Sequence, residues 1–81
     1  MDGPRVRVVV YQEGYQLVAE GVEIDTRVFA NEIDTLRDRF CYHGELNRHK
    51  IRTQEAADRL ASMWSDARLV HSYTLYLIGP G

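Results

Sequence analysis

Residues 5–12, RVRVVVYQ, carry the strongest β-strand signal in the chain, and they decide its fold. Successive residues of a strand point to opposite faces, so Val6, Val8 and Val10 lie on one face. Val9 and Tyr11 lie on the other face and are apolar as well. A strand that is apolar on both faces is typical of the centre of a sheet. We therefore expect this segment to be a central strand.

Two further strands are expected beside it. Glu13-Gly14 suits a tight hairpin turn, because glycine supplies the positive φ that such a turn requires. The second strand covers residues 15–24, YQLVAEGVEI, and its alternation slips at Gly21, which predicts a β-bulge. The third strand covers residues 68–78, RLVHSYTLYLI, a stretch rich in β-branched and aromatic side chains.

Two helices are expected between the second and third strands. Asp25 suits the N-cap of the first helix, which continues to about Tyr42. Within it, apolar residues recur at a period of about 3.6 residues, namely Phe29, Ile33, Leu36 and Phe40. Gly44 suits the left-handed residue that follows a helix. Thr53 suits the N-cap of the second helix, which covers residues 54–67.

The resulting fold class is α+β in the order β-β-α-α-β. A three-stranded sheet carries a helical hairpin on one face. We expect residues 1–81 to form one domain, with flexible tails at 1–4 and 79–81. The favoured strand order is 2-1-3, with the first and third strands parallel; the order 1-2-3 remains open.

Composition narrows the function classes. The net charge of −2 is far from the strongly basic balance of a dedicated duplex-DNA binder. One cysteine cannot form an internal disulfide, which indicates a reducing compartment. The sequence shows no secretory leader and no apolar run near the ~20 residues of a membrane span. We expect a cytoplasmic protein that does not contact a membrane.

The connector between the two helices, residues 41–53 (CYHGELNRHKIRT), is the one locally basic stretch. Its potential metal ligands lack the tight paired spacing of zinc sites; they are Cys41, His43, Glu45 and His49. A histidine acid or base with nearby cations would also suit a small acid–base hydrolase. Histidines alone do not establish convergence, so we expect no metal, no cofactor and no enzymatic activity.

The sheet presents a second candidate surface. Two helices on one face would leave the other face carrying apolar side chains, among them Val9, Tyr11, Val70, Tyr76 and Ile78. A partner protein or a second copy of the chain would cover these side chains. Long arginine side chains would also shield them, which is the alternative to an interface.

These observations predict a small non-enzymatic protein-interaction module. It would act as a regulator or inhibitor by binding a partner protein, with a homodimer as one form; small phage or accessory proteins also fit this description. The expected partner-binding residues are Arg48, His49, Lys50, Arg52, Tyr11, Tyr76 and Ile78. The alternative is an RNA- or DNA-binding protein in which the basic residues of 48–52 contact phosphates.

Overall fold

The computed structural model describes residues 2–65 and 69–78, without the side chains of Asp2, Trp64, Ser65 and Ile78. Four strands, two helices and one 3-10 turn follow one another in the chain: β1 Asp2–Glu13, β2 Gln16–Gly21, β3 Arg27–Ala30, α1 Ile33–Leu46, α2 Gln54–Ala61, the turn Ser62–Ser65, and β4 Leu69–Ile78. The α+β class and the two helices are confirmed. Residues 2–4 lie in β1 rather than in a tail, and residues 79–81 lie outside the described residues.

Strand β3 occupies the segment predicted as the first turns of helix one. Val28 and Ala30 alternate with exposed neighbours and are buried in the core, which is the period of a strand. The four-residue spacing from Phe29 to Ile33 resembles a helical repeat. The two residues belong to different elements, however, since β3 ends at Ala30 and α1 begins at Ile33. The sheet therefore has four strands rather than three. Helix α1 begins at Ile33 and continues through Gly44 to Leu46 instead of ending before Gly44.

The four strands form one antiparallel sheet in the order β3-β2-β1-β4. The prediction that the first strand lies between the second and the last is confirmed. The prediction that the first and last strands are parallel is wrong. Because β3 reverses the chain once more, the helical segment starts from the opposite end of the sheet to the one expected. The helical segment also returns the chain to that same end of the sheet, and β4 therefore runs antiparallel to β1.

Helix α1 packs on one face of the sheet, here called the inner face. Leu36 and Phe40 lie against the inward valines of β1 and against small residues of the neighbouring strands. Among the described residues, the buried cluster on this face consists of Val6, Val8, Val10, Ala19, Ile24, Val28, Ala30, Leu36, Phe40 and Leu77. This is the covered face that the valine alternation in β1 predicts.

Two glycines adjoin Phe40, and the same substitution is expected to act oppositely at each. A Cβ at Gly21 would lie 2.9 Å from the Ile24 carbonyl oxygen and 3.1 Å from the Phe40 ring. Gly21→Ala should therefore lower the free energy of unfolding by about 1–3 kcal/mol, as overpacking does. A Cβ at Gly44 would meet Leu77 and Phe40 at an ordinary 3.6 Å. Gly44→Ala, in mid-helix, should raise stability by about 0.5–1 kcal/mol.

Urea unfolding of the two variants beside the unsubstituted chain measures both changes. Equal destabilisation by the two substitutions would contradict the packing at Gly21 and Gly44.

The predicted bulge at Gly21 is replaced by a strand end, since β2 stops at this residue and the chain turns away towards β3.

The opposite, outer face is also covered at its centre. Val9 and Val18 lie there and are both 0% exposed. Arg52, which leads into α2, contacts Glu20 on this face, whereas β4 starts at Leu69 on the far side of β1. The packing of α1 on the inner face is the part of the predicted helical arrangement that the structure shows, and a hairpin of both helices on one face stays a prediction.

Candidate functional site

The free edge of β4 is the most distinctive surface of the sheet. The Arg7 backbone faces β2, because its carbonyl accepts from Val22 N–H and its N–H donates to Glu23. Backbone directions alternate along an antiparallel strand, so Val6 and Val8 instead bond to β4. Their partners on β4 are Leu75 and Tyr73.

The residues of β4 between those partners consequently point the other way. Ser72, Thr74 and Tyr76 direct their N–H and C=O groups to the outer edge of β4. Among the described residues, β1 is the only strand that pairs with β4. Six main-chain hydrogen-bonding groups therefore line up along one open edge.

The sequence of β4 does nothing to protect this edge. Residues 69–78 contain no Asp, Glu, Lys or Arg and no proline, although such residues commonly block edge strands in soluble proteins. The other edge of the sheet differs. Strand β3 has only four residues, and the Arg39 guanidinium donates to the Phe29 carbonyl at 2.6 Å. One edge is short and capped, whereas the other is long and open.

Apolar side chains stand beside the open edge. Val70 is 49% exposed and Tyr76 is 55% exposed, and both belong to the outer-face set expected from the sequence. Tyr76 lies opposite Arg5 of β1. The side chain of Ile78 is outside the described part of the chain. The predicted sheet surface is thus present at β4, whereas its centre at Val9 is covered.

Two of the predicted connector residues hold the fold together. The Arg52 Nε donates to the Gly21 carbonyl at 2.8 Å, and the guanidinium lies 3.4 Å from Asp25 and 3.9 Å from Glu20. Arg48 pairs with Glu45 one helical turn away at 3.1 Å. The backbone of the connector is also fixed, since the Lys50 carbonyl accepts from Asp25 N–H at 2.7 Å.

The other two predicted contact residues of the connector, His49 and Lys50, are exposed. The structure therefore separates the four basic residues into two with structural contacts and two on the surface. Within the described residues, no group of three or more His, Cys, Asp or Glu side chains is placed to hold a metal ion. Cys41 is an exposed free thiol.

Tyr11 belongs to an ion-pair network on the outer face rather than to an open patch. Its hydroxyl donates to Glu20 at 2.8 Å, and Arg27 pairs with Glu20 and with Glu13. Burial, and then the hydrogen bond to Glu20, raise the pKa of the Tyr11 hydroxyl. Burial also raises the pKa of Tyr73, against the opposing charge of Arg37.

These two shifts predict a loss of stability at alkaline pH. A folded-state pKa above the unfolded value of about 10 stabilises the fold below that pH, and the contribution disappears as pH rises through the folded value. The melting temperature should fall in this range, and less steeply in Tyr11→Phe. Tyr15, 98% exposed in the β1–β2 turn, provides the control Tyr15→Phe. Identical alkaline profiles for both variants would contradict the role of the Tyr11 hydroxyl.

Both strand orders considered from the sequence place the last strand at an edge, but its open hydrogen-bonding edge was not predicted as a binding surface. The absence of charged residues from the ten-residue strand β4 is the sequence signal of an unprotected edge. It has this meaning only for a strand that lies at an edge of the sheet. Among the described residues, no helix is long and apolar enough to cross a membrane. No protein-family model, curated protein or solved structure matches this chain.

Proposed function

We propose that the protein is a small interaction module that binds by strand pairing at the open edge of β4, with a second copy of itself as the partner. The observation that carries this proposal is the uncharged edge strand whose Ser72, Thr74 and Tyr76 backbones point outward. An unprotected edge of this length readily pairs with another strand. No charge on the strand opposes its pairing with a copy of itself.

The outward residues define one register for the pair. An antiparallel dimer with its two-fold axis at Thr74 sets Thr74 opposite the partner's Thr74, and Ser72 opposite the partner's Tyr76. All six outward groups of each copy are then used, which gives six hydrogen bonds along the edge. Threonine pairs across antiparallel strands are favourable in their own right. The two four-stranded sheets join into one sheet of eight strands.

Such a dimer fits a role as a regulator or inhibitor that acts by occupying a partner. Self-pairing covers the β4 edge and presents every other surface twice. Multivalent presentation raises the effective affinity for a partner that offers two sites.

Light scattering after size exclusion tests the dimer. The expected mass is twice the chain mass of 9.4 kDa. Tyr76→Glu adds a negative charge beside the pairing edge and should reduce the mass to that of one chain while the circular dichroism spectrum is retained. Tyr15→Glu, the same substitution in the β1–β2 turn, should remain dimeric. A single-chain mass for the unsubstituted protein at all concentrations would contradict the proposal.

A further inference from the structure

The opposite edge of the sheet carries a groove with different chemistry. It runs between β3 and the C-terminal half of α1 and has a volume of about 420 Å³. Its wall is made by two arginines, a histidine, an asparagine and the strand itself, namely Arg27, Val28, Phe29, Arg39, His43 and Asn47. None of its lining side chains is acidic. The groove is therefore a cationic channel beside an edge strand.

Arg39 is the unusual member of this set. Among the described residues, its guanidinium makes no ion pair, and its hydrogen bond goes to the uncharged carbonyl of Phe29 at 2.6 Å. Arg27, in contrast, is paired with Glu13 at 2.5 Å. A carboxylate is a much stronger acceptor for a guanidinium than a carbonyl. Arg39 can therefore exchange its present acceptor for a carboxylate brought by a ligand.

The backbone of β3 faces the same groove. Gly21 N–H donates to the Thr26 carbonyl, which fixes the alternation of hydrogen bonds between β2 and β3. Arg27 and Phe29 fall at the positions whose N–H and C=O groups point away from β2. The Phe29 carbonyl held by Arg39 is one of these groups. When Arg39 moves to a carboxylate, this edge becomes able to accept an added strand.

We propose that this groove binds an extended acidic segment of a polypeptide, added antiparallel or parallel to β3. Acidic side chains at alternate positions of a strand are about 6.6–6.8 Å apart. Arg39 and His43 are separated by one turn of α1, about 6 Å along the helix. One face of the added strand would then meet the Arg39 guanidinium and the His43 imidazole, while its backbone bonds to Arg27 and Phe29.

The charge pattern favours a peptide over a nucleic acid. Glu13 and Glu20 flank Arg27 on the outer side of β3 and would repel a continuous phosphate backbone. A peptide with spaced carboxylates can meet Arg39 and His43 without approaching those glutamates. The groove is at the edge remote from β4, so its binding does not depend on the dimer proposed above.

Titration followed by amide chemical shifts tests the groove. The probe is a blocked five-residue peptide in which valine and glutamate alternate, and the control replaces each glutamate by glutamine. We expect shifts at Val28, Phe29, Arg39, His43 and Asn47, with binding of the glutamine peptide weaker by about tenfold. Added salt should weaken binding of the glutamate peptide.

Matched variants test whether peptide binding depends on the Arg39 side chain. Arg39→Gln should weaken binding of the glutamate peptide by about tenfold, to the level of the glutamine peptide. Arg59→Gln removes the same charge from the exposed face of α2 and should leave binding unchanged. Thr74→Lys, which targets the β4 edge, should also leave peptide binding unchanged. The failure of one proposal can therefore be distinguished from the failure of the other.

Three outcomes would overturn the inference. They are the absence of shifts in the groove at millimolar peptide, equal binding of the two peptides, or unchanged binding by Arg39→Gln. Stronger binding of a five-nucleotide oligouridylate to the same residues would show that the ligand is a nucleic acid instead.

Discussion

Replacing Thr74 by lysine is expected to turn the dimer into a folded monomer. Thr74 is exposed on the outer face of an edge strand, so the longer side chain does not disturb the core. In the proposed register it lies opposite the partner's Thr74, and the substitution sets two ammonium groups face to face. Like charges across an interface oppose association strongly. We expect the dissociation constant to rise at least about a hundredfold, or about 3 kcal/mol.

Sedimentation equilibrium over a range of concentrations measures this change, with circular dichroism as the check on folding. Thr35→Lys adds the same charge at an exposed position of α1, outside the pairing strand, and should not alter the dissociation constant. A folded Thr74→Lys variant that associates as tightly as the unsubstituted chain would exclude pairing at this edge.

Among alanine substitutions of the connector residues predicted to bind a partner, Arg52→Ala is expected to lower the free energy of unfolding most. Its side chain is only 14% exposed and contacts the Gly21 carbonyl, Glu20 and Asp25, so it ties the connector to the end of β2 and to the segment that follows β2. Removing it leaves the Gly21 carbonyl and the Glu20 carboxylate without this partner. Hydrogen bonds to charged groups contribute about 1.5–3 kcal/mol, so we expect a loss of about 2–3 kcal/mol.

Urea unfolding measures this loss, and two neighbours serve as controls. Lys50→Ala removes an exposed cation but keeps the backbone bond to Asp25 and should change stability by less than about 0.5 kcal/mol. Arg59→Ala removes an arginine whose ion pair with Glu55 is exposed, and it should have a similarly small effect. If Arg52→Ala were as stable as Lys50→Ala, Arg52 would be a surface residue free to bind a partner, as predicted from the sequence.

The outcome for Arg52 shows why the candidate site was only partly predictable. An arginine in a basic connector has the same sequence signature whether it clamps a strand end or contacts a ligand. Burial and partners decide between the two, and both depend on residues 31 and 32 positions away. Tyr76, in contrast, was placed correctly on an exposed face, because strand alternation is a local property.

The fold shows the same division between local and distant causes. The central position of β1 followed from apolar residues on both of its faces and is confirmed. Strand β3 was missed because four residues are too short to establish a period of two, and pairing with β2 outweighs the helical spacing of Phe29 and Ile33. That one strand reversed the direction of β4 relative to β1, whereas the position of β4 at an edge of the sheet is the same in the predicted and the observed order.

The most direct test of the β4 dimer is to mix two variants that should each be monomeric. Thr74→Lys and Thr74→Glu both place like charges across the two-fold axis when either is alone. Mixed in equal amounts, they place lysine opposite glutamate. Native mass spectrometry should show two monomers separately and a heterodimer of one lysine and one glutamate chain in the mixture. Monomers alone and after mixing, or homodimers of either variant, would contradict the register at Thr74.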